Sequence, residues 1–321
     1  MKNKPILVVA GEPRSVFFEI FFKSIKRKKI KSPLILICCK NILLKEMEYF
    51  SFKKKINLLD PKKFKKIKIN NDNINLIDIP YKTTSKQSSK NYNLKKYIND
   101  CFSIAFSLLK KRITHKFING PINKSTFLDK KYLGITEYIS KYFNTKKFGM
   151  LIYNKELSVC PVTTHLPIKL VSKNITKKKV FEKIEIIHNF FISYFNKKPK
   201  IAITGLNPHC ESILKNNEDK SIVEAALKKA TKKNISIKGV FSADTIFLKS
   251  NRKKFDVIIG MYHDQVLAPL KTIYEYDAIN ITLGLPFLRV SPDHGPNQKM
   301  YRKNKSDPLS LIRALTFLDN K

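Results

Sequence analysis

The sequence has few of the residues that build familiar nucleotide-binding loops. Its 321 residues include only 9 glycines and no tryptophan. Neither G-x-G-x-x-G nor G-x-x-x-x-G-K-[ST] occurs, so a standard Rossmann or P-loop nucleotide site is not supported. A G-x-S-x-G elbow, which would indicate a serine hydrolase, is also missing. The short signatures of these three classes are therefore excluded.

Cysteine is also scarce, and its spacing predicts neither a disulfide nor a metal site. Cys38 and Cys39 are adjacent at the end of an apolar run, Cys101 falls in a helical pattern and Cys160 in a strand. Cys210 is the fifth. An odd set without pairing spacing indicates free thiols in a reducing compartment.

Long apolar runs are absent as well. No run approaches the roughly 20 residues that span a bilayer. The run Ile6–Ala10 is too short for the core of a signal peptide. We therefore expect a cytoplasmic protein without a membrane partner.

Acidic residues are few: 25 Asp and Glu stand against 63 Lys and Arg, a net charge of +38. So basic a chain would attract nucleic acid. The lysines are scattered, however, and form no patch interleaved with aromatic residues, so a solvated surface is the simpler interpretation. Nucleic-acid binding remains an alternative.

The chain is long enough for a large core and two lobes.

Apolar runs alternate with amphipathic stretches along the chain, which predicts an α/β fold with a mainly parallel sheet. Thr176 and Asp307 are predicted N-caps, with Pro308 opening the last helix. A polar stretch, 83–93, is the best loop candidate. Predicted strands lie at 4–10, 33–38, 56–59, 74–79 and 116–119, and predicted helices at 15–25, 177–195 and 308–318.

Three apolar runs, each predicted as a buried strand, lead into a histidine. The runs are Leu157–Val162 before His165, Ile201–Leu206 before His209, and Val257–Met261 before His263. Ligands bind at the carboxyl ends of strands in open α/β sheets. Any one of these histidines alone would be more simply a polar loop residue. Three together predict one site, where neutral imidazoles could hold zinc, cobalt, nickel or iron and leave positions open for substrate.

Cations and an amide follow His263. Lys271, Asn280 and Arg289 suit a phosphorylated or carboxylated substrate, because charge-assisted hydrogen bonds to such groups are strong. Lysine is so abundant here that Lys271 alone indicates little. His294 ends another apolar run and is a candidate for cofactor contact.

The motifs MYHDQ, NITLGLPF-R-SPDHG, GLNPH, TTHLP, ADT, NGPINK and GEP occur here in an order that spans nearly the whole chain. In kind and order they resemble the 4-hydroxythreonine-4-phosphate dehydrogenase family of vitamin B6 biosynthesis. The resemblance implies an isocitrate/isopropylmalate-dehydrogenase-like α/β fold: two α/β/α lobes with a cleft between them. We expect a first lobe of residues 1–133 plus 281–321 and a second of residues 134–280 carrying the metal histidines.

The resemblance also implies a cytoplasmic homodimer with active sites at the subunit interface. The expected reaction is oxidation of 4-phosphooxy-L-threonine with NAD or NADP, followed by decarboxylation. A divalent zinc, cobalt or magnesium ion would be held by the three histidines. Thr136, Lys271, Asn280 and Arg289 would bind substrate, with Asp244 as a weaker candidate, and Asp293 and His294 would contact the cofactor.

Three segments depart from the family pattern. The family has G-H-T-E where this chain has Gly134-Ile135-Thr136-Glu137, and its glycine-rich first loop and its glycines after NPH are replaced here. A paralogous dehydrogenase of another phosphorylated or carboxylated hydroxy acid is therefore an alternative. A basic nucleic-acid-binding protein on a retired enzyme scaffold is another.

Overall fold

A computed structural model describes residues 4–64, 69–82, 87–123, 127–128, 132–211, 217–292 and 295–321. The chain divides into two compact units. Unit 1 comprises Met1–Tyr132 with Pro286–Lys321, and unit 2 comprises Leu133–Leu285. Within the described ranges, no helix combines the length and apolar composition needed to cross a membrane.

In its described residues, unit 1 has six parallel strands in the order β3-β4-β2-β1-β5-β12. Its central strands are almost wholly apolar and fully buried, as expected of parallel strands covered on both faces. Numbered along the chain, the strands are β1 (Ile6–Val9), β2 (Leu34–Cys38), β3 (Ile56–Leu58), β4 (Ile74–Asp78), β5 (Lys116–Asn119) and β12 (Leu288–Pro292).

Helices of unit 1 pack with aromatic side chains. In α1, Phe17 and Phe21 stack with ring centroids 5.6 Å apart, and both are buried. The helices are α1 (Phe17–Arg27), α2 (Lys40–Tyr49), α3 (Gln87–Lys110) and the C-terminal α11 (Leu309–Asp319). A 3₁₀ turn spans Gln298–Met300.

The predicted loop at 83–93 is wrong where the structure describes it. Residues 83–86 lie outside the described ranges, but Gln87 already begins α3. Polar residues at the start of a helix need no apolar periodicity, because the amphipathic remainder of the helix supplies the packing that stabilises it. The absence of periodicity therefore did not indicate a loop.

Apart from residues 212–216, which are not described, unit 2 contains six strands in the order β11-β6-β7-β10-β8-β9. All neighbours are parallel except at β6, which runs antiparallel to both β11 and β7. The strands are β6 (Gly149–Tyr153), β7 (Ser158–Pro161), β8 (Ile201–Thr204), β9 (Ile237–Phe241), β10 (Val257–Gly260) and β11 (Ile279–Leu283).

The helices of unit 2 include one whose N-cap was predicted. Thr176 accepts a 3.2 Å hydrogen bond from the backbone of Lys179, and the helix runs over the predicted 177–195. The α-helices are α4 (Ile135–Tyr142), α5 (Val171–Asn174), α6 (Lys177–Phe195), α7 (Ala225–Lys232), α8 (Ala243–Ile246), α9 (Lys249–Arg252) and α10 (His263–Tyr274). A π-helical turn at Asp219–Glu224 precedes α7, and 3₁₀ turns span Ile168–Leu170 and Pro208–Cys210.

The last helix of the chain begins one residue later than predicted, at Leu309. Pro308 takes the N-cap position that was predicted for Asp307. The Asp307 carboxylate nevertheless accepts a 2.8 Å hydrogen bond from the Leu309 backbone, as a capping side chain does.

Candidate active site

The three strands that precede the histidines are neighbours in the sheet of unit 2. β10 lies between β7 and β8 and is parallel to both, with Gly260 opposite Pro161 and Ile259 opposite Ile203. Their carboxyl ends therefore meet at one edge. His165 follows β7, His263 is the first residue of α10 after β10, and His209 lies in the 3₁₀ turn after β8.

The structure brings two of the histidines together. The ring centroids of His165 and His263 are 5.6 Å apart, with the ring planes at 39°. Two imidazoles bound to one tetrahedral ion through bonds of about 2.0–2.1 Å would have ring centres roughly 5 Å apart. The spacing of this pair therefore fits a shared metal ion.

His209 stands apart in its local geometry. Its φ of 55° is left-handed, a conformation that non-glycine residues adopt at an energetic penalty. Its side chain is 73% exposed, with Nδ1 4.0 Å from Asp244 Oδ2. Across the described ranges, no three His, Cys, Asp or Glu side chains are close enough to hold an ion. His209 as the third ligand thus remains a prediction.

Two of the histidines, His263 and His209, have Nδ1 near a carboxylate. His263 Nδ1 is 2.7 Å from Asp264 Oδ1. Ser242, which donates a 2.7 Å hydrogen bond to Asp244, has its Oγ 3.4 Å from His209 Nδ1. A carboxylate at Nδ1 leaves Nε2 as the lone-pair nitrogen, which is how metal-binding histidines are commonly oriented. The chemistry of the donor set fits a divalent ion.

Two predicted substrate residues of unit 2 lie in packed positions. Thr136, in the first turn of α4, is 6% exposed. Asn280 lies in β11 opposite Ile152, and its buried Oδ1 has no hydrogen-bond partner among the described residues. An unsatisfied buried amide oxygen is destabilising, so this atom is a candidate for ligand contact.

The other predicted contacts are distributed over both units. Lys271 lies in α10 and is partly buried. Arg289, in β12 of unit 1, is 3% exposed and donates from Nε a 2.9 Å hydrogen bond to Asn119 Oδ1 in β5. This bond fixes the plane of the guanidinium group. Asp293 and His294, the predicted cofactor contacts, lie outside the described residues.

Gln265 ties the ends of two neighbouring strands together, a role that was not predicted from the sequence. Its Oε1 accepts from the backbone of Met261 at 2.6 Å and from Thr204 Oγ1 at 3.0 Å, and its Nε2 donates to Gly205 at 2.8 Å. The available signal was its place in the MYHDQ motif.

Asp219 was also missed, and it braces the turn that leads to His209. It is 1% exposed, and its carboxylate accepts from the backbones of Leu206 at 2.5 Å and Asn207 at 3.1 Å. The side-chain amide of Asn207 also donates a hydrogen bond to this carboxylate, at 2.9 Å. Asp219 is far from His209 along the sequence, so no local pattern indicated that the two are connected.

These features define an α/β protein that presents imidazoles and carboxylates at the carboxyl edge of parallel strands, the position at which α/β enzymes bind ligands. The model of the family described as "Pyridoxal phosphate biosynthetic protein PdxA" matches residues 29–318. The chain belongs to this family.

Two relatives agree with that assignment, one of them over nearly its full length. A 4-hydroxythreonine-4-phosphate dehydrogenase of Sulfurihydrogenibium sp. is 34% identical, covering 97% of this chain and 96% of the relative. A D-threonate 4-phosphate dehydrogenase of Pectobacterium atrosepticum is 31% identical over 67% of each chain. The chain is an oxidoreductase of this dehydrogenase family.

The fold also matches a solved structure. The crystal structure of 4-hydroxythreonine-4-phosphate dehydrogenase from Klebsiella pneumoniae has a TM-score of 0.82 at 25% identity, over 99% of this chain and 100% of that chain. The predicted α/β fold is confirmed, and it is the fold of this dehydrogenase family.

Proposed function

We propose that this chain oxidises the 3-hydroxyl of 4-phosphooxy-L-threonine with NAD or NADP, in the biosynthesis of pyridoxal phosphate. Oxidation gives a β-keto acid, which loses carbon dioxide to yield 3-amino-2-oxopropyl phosphate. The proposal is supported by full-length similarity to the dehydrogenase of Sulfurihydrogenibium sp.. The structural observation that carries it is the His165–His263 pair, with centroids 5.6 Å apart at the carboxyl edge of the sheet.

His165, His209 and His263 would hold a divalent ion, and three imidazole nitrogens favour zinc or cobalt over magnesium. When bound, the ion lowers the pKa of the substrate hydroxyl while the nicotinamide ring accepts the hydride. The protein's own part is to hold the imidazoles in place. Asp264, 2.7 Å from His263 Nδ1, orients that ring and keeps its Nε2 available.

The remaining residues are proposed to bind and orient the substrate. Arg289 keeps a fixed guanidinium plane through its bond to Asn119, and a planar fork suits a phosphate group. Asn280 offers its buried Oδ1 as an acceptor for a substrate donor. Thr136 and Lys271 are assigned to substrate through the family motifs alone, and Asp244 is retained as polar support beside His209.

Assembly and location extend the proposal. We expect a homodimer with its active sites at the subunit interface, located in the cytoplasm. Both expectations rest on the family resemblance, and the free cysteines support the second, since four of the five are buried and none is paired among the described residues.

A second substrate has a specific observation in its favour. The relative from Pectobacterium atrosepticum is named a D-threonate 4-phosphate dehydrogenase. Ile135, where the family pattern has histidine, is only 8% exposed at the start of α4. An apolar side chain there removes a hydrogen-bond donor, so a related hydroxy acid is the alternative substrate.

A direct test is formation of reduced nicotinamide, followed by absorbance, from each of the two phosphorylated substrates. NAD and NADP would be compared, with and without a metal chelator. We expect turnover of 4-phosphooxy-L-threonine, loss of activity with the chelator and recovery when zinc or cobalt is added. Turnover of D-threonate 4-phosphate alone would replace the first proposal with the second.

A further inference from the structure

Glu137, the third residue of α4, has its carboxylate close to His165, the first of the metal-candidate histidines. Gly134 separates the two side chains: a Cβ built on this glycine would be 2.7 Å from Glu137 Oε2 and 3.1 Å from His165 Nδ1. The carboxylate oxygen and the ring nitrogen therefore approach the same point on the backbone. A larger residue at this position would have to displace the end of the Glu137 side chain or the His165 ring.

The two oxygens of Glu137 are in different situations. Oε1 accepts a 3.0 Å hydrogen bond from Thr164 Oγ1, and Thr164 is the residue immediately before His165. Oε2 is buried and accepts no hydrogen bond from any residue that the structure describes. A buried carboxylate oxygen without a donor is strongly unfavourable, so its position beside an imidazole nitrogen needs an explanation.

Helix capping does not supply that explanation. Gly134 is the N-cap of α4, which places Glu137 at the third helical position, where a capping-box glutamate would accept from the N-cap backbone. That bond is not formed, because Oε1 binds Thr164 and Oε2 has no partner in the described structure. A negative charge in the first turn favours the helix, but this effect does not require Oε2 to face His165.

We propose that Glu137 is a positioning residue: in solution its Oε2, which has no donor within hydrogen-bond geometry in the described structure, closes on the Nδ1–H of His165 and directs Nε2 of that ring toward the metal ion. His263 shows the same relationship, with Asp264 Oδ1 2.7 Å from its Nδ1. Thr164 fixes the other oxygen and so sets the direction of the carboxylate. The inference rests on the proposed function, since it assumes that His165 is a metal ligand.

The tautomer of His165 tests the inference without metal or turnover. Nitrogen NMR of the metal-free full-length chain, with His165→Gln to assign the signal, reports which ring nitrogen carries the proton. We expect the proton on Nδ1 in the wild type. The opposite tautomer would overturn the proposal, whatever the enzyme's activity.

Two variants give a graded metal-binding test. Glu137→Leu keeps much of the volume and removes both acceptors, whereas Glu137→Gln keeps one neutral acceptor. Loss of a carboxylate partner typically weakens metal binding by about 10–100-fold, so we expect the leucine variant to lose that much zinc affinity and glutamine to lose less. Glu48→Gln, on an exposed residue of α2, makes the same chemical change away from the site and should leave affinity unchanged.

The outcomes separate this inference from the proposed function. If His165→Ala leaves zinc affinity unchanged, the metal site itself is wrong. If His165→Ala weakens zinc binding while both Glu137 variants keep wild-type affinity and tautomer, only the positioning role is overturned. Thermal unfolding of each variant shows whether a loss of zinc affinity comes from misfolding. If it does, the tautomer of His165 in the wild type decides whether Glu137 has the positioning role.

Discussion

Gln265 donates a 2.8 Å hydrogen bond from Nε2 to the backbone oxygen of Gly205, and so joins the carboxyl end of β10 to that of β8. Its Oε1 also accepts from the backbone of Met261 at 2.6 Å. Both strands lead to candidate metal ligands, because His263 follows one and His209 the other. One amide therefore fixes the spacing of two strand ends within unit 2.

Gln265→Ala should destabilise the protein. It removes hydrogen bonds that contribute roughly 1 kcal/mol each and leaves polar groups of Met261 and Thr204 unsatisfied, so we expect a loss of about 2–3 kcal/mol. Urea unfolding measures it. Asn41→Ala, on an exposed amide of α2, is the control and should change stability by less than about 0.5 kcal/mol. Equal stabilities for the two variants would contradict the bridging role.

Asp219→Asn should loosen the turn that carries His209. The buried carboxylate accepts from Leu206 and Asn207, and an amide nitrogen in its place would face their N–H groups. Losing charge-assisted bonds of this kind costs about 1.5–3 kcal/mol each. We expect weaker zinc binding as well as lower stability. Asp307→Asn, at a helix cap where Asn serves as well as Asp, is the matched control and should alter neither property. Unchanged zinc affinity in Asp219→Asn would show that the hydrogen bonds of Asp219 do not position His209.

Arg289→Lys tests the proposed phosphate contact. Lysine keeps the charge but has no planar fork, and it cannot reproduce the bond from Nε to Asn119. We expect KM for the phosphorylated substrate to rise on the order of tenfold or more, since about 1.4 kcal/mol of lost binding has that effect. Lys271→Arg provides a comparison in which charge is also kept. An unchanged KM in Arg289→Lys would exclude a direct phosphate contact.

Local sequence predicted much of the framework. Thr176 caps α6 as expected, because a threonine before an amphipathic run satisfies a backbone N–H that the helix leaves without a partner. The strand Lys116–Asn119 has the predicted bounds. Three histidines after three buried strands pointed to a common edge, and β7, β10 and β8 are indeed adjacent.

The groups that hold the site together were not predictable in the same way. Asp219 reaches Leu206 and Asn207 only because the chain returns from the turn to the π-helical segment, and no periodicity encodes that contact. Gln265 and Glu137 likewise have partners in the loops that follow other strands, Gly205 after β8 and Thr164 after β7. Which side chains meet depends on the order of the strands, and that order is a property of the tertiary fold. Residue patterns in the sequence therefore identify the candidate metal ligands better than the side chains that hold those ligands in place.

Ile135 is where this chain leaves its family's pattern, and it gives the most direct test of the substrate. A histidine there could donate a hydrogen bond to a polar substrate group, which isoleucine cannot do. One charge-assisted hydrogen bond contributes roughly 1.5–3 kcal/mol, so its loss would lower affinity about ten- to a hundredfold unless another group compensates. If the metal, Lys271, Asn280 and Arg289 supply most of the binding, the wild type should turn over 4-phosphooxy-L-threonine.

Ile135→His should then show equal or higher kcat/KM for that substrate, measured as formation of reduced nicotinamide. The side chain is 8% exposed at the first position of α4, so the larger polar ring must be accommodated, and thermal unfolding should accompany the kinetics. Ile135→Val, which keeps an apolar side chain, is the matched control. It should leave the ratio of the kcat/KM values for the two substrates unchanged. Turnover of 4-phosphooxy-L-threonine gained only in the histidine variant, with D-threonate 4-phosphate used by the wild type, would assign the native substrate to the second class.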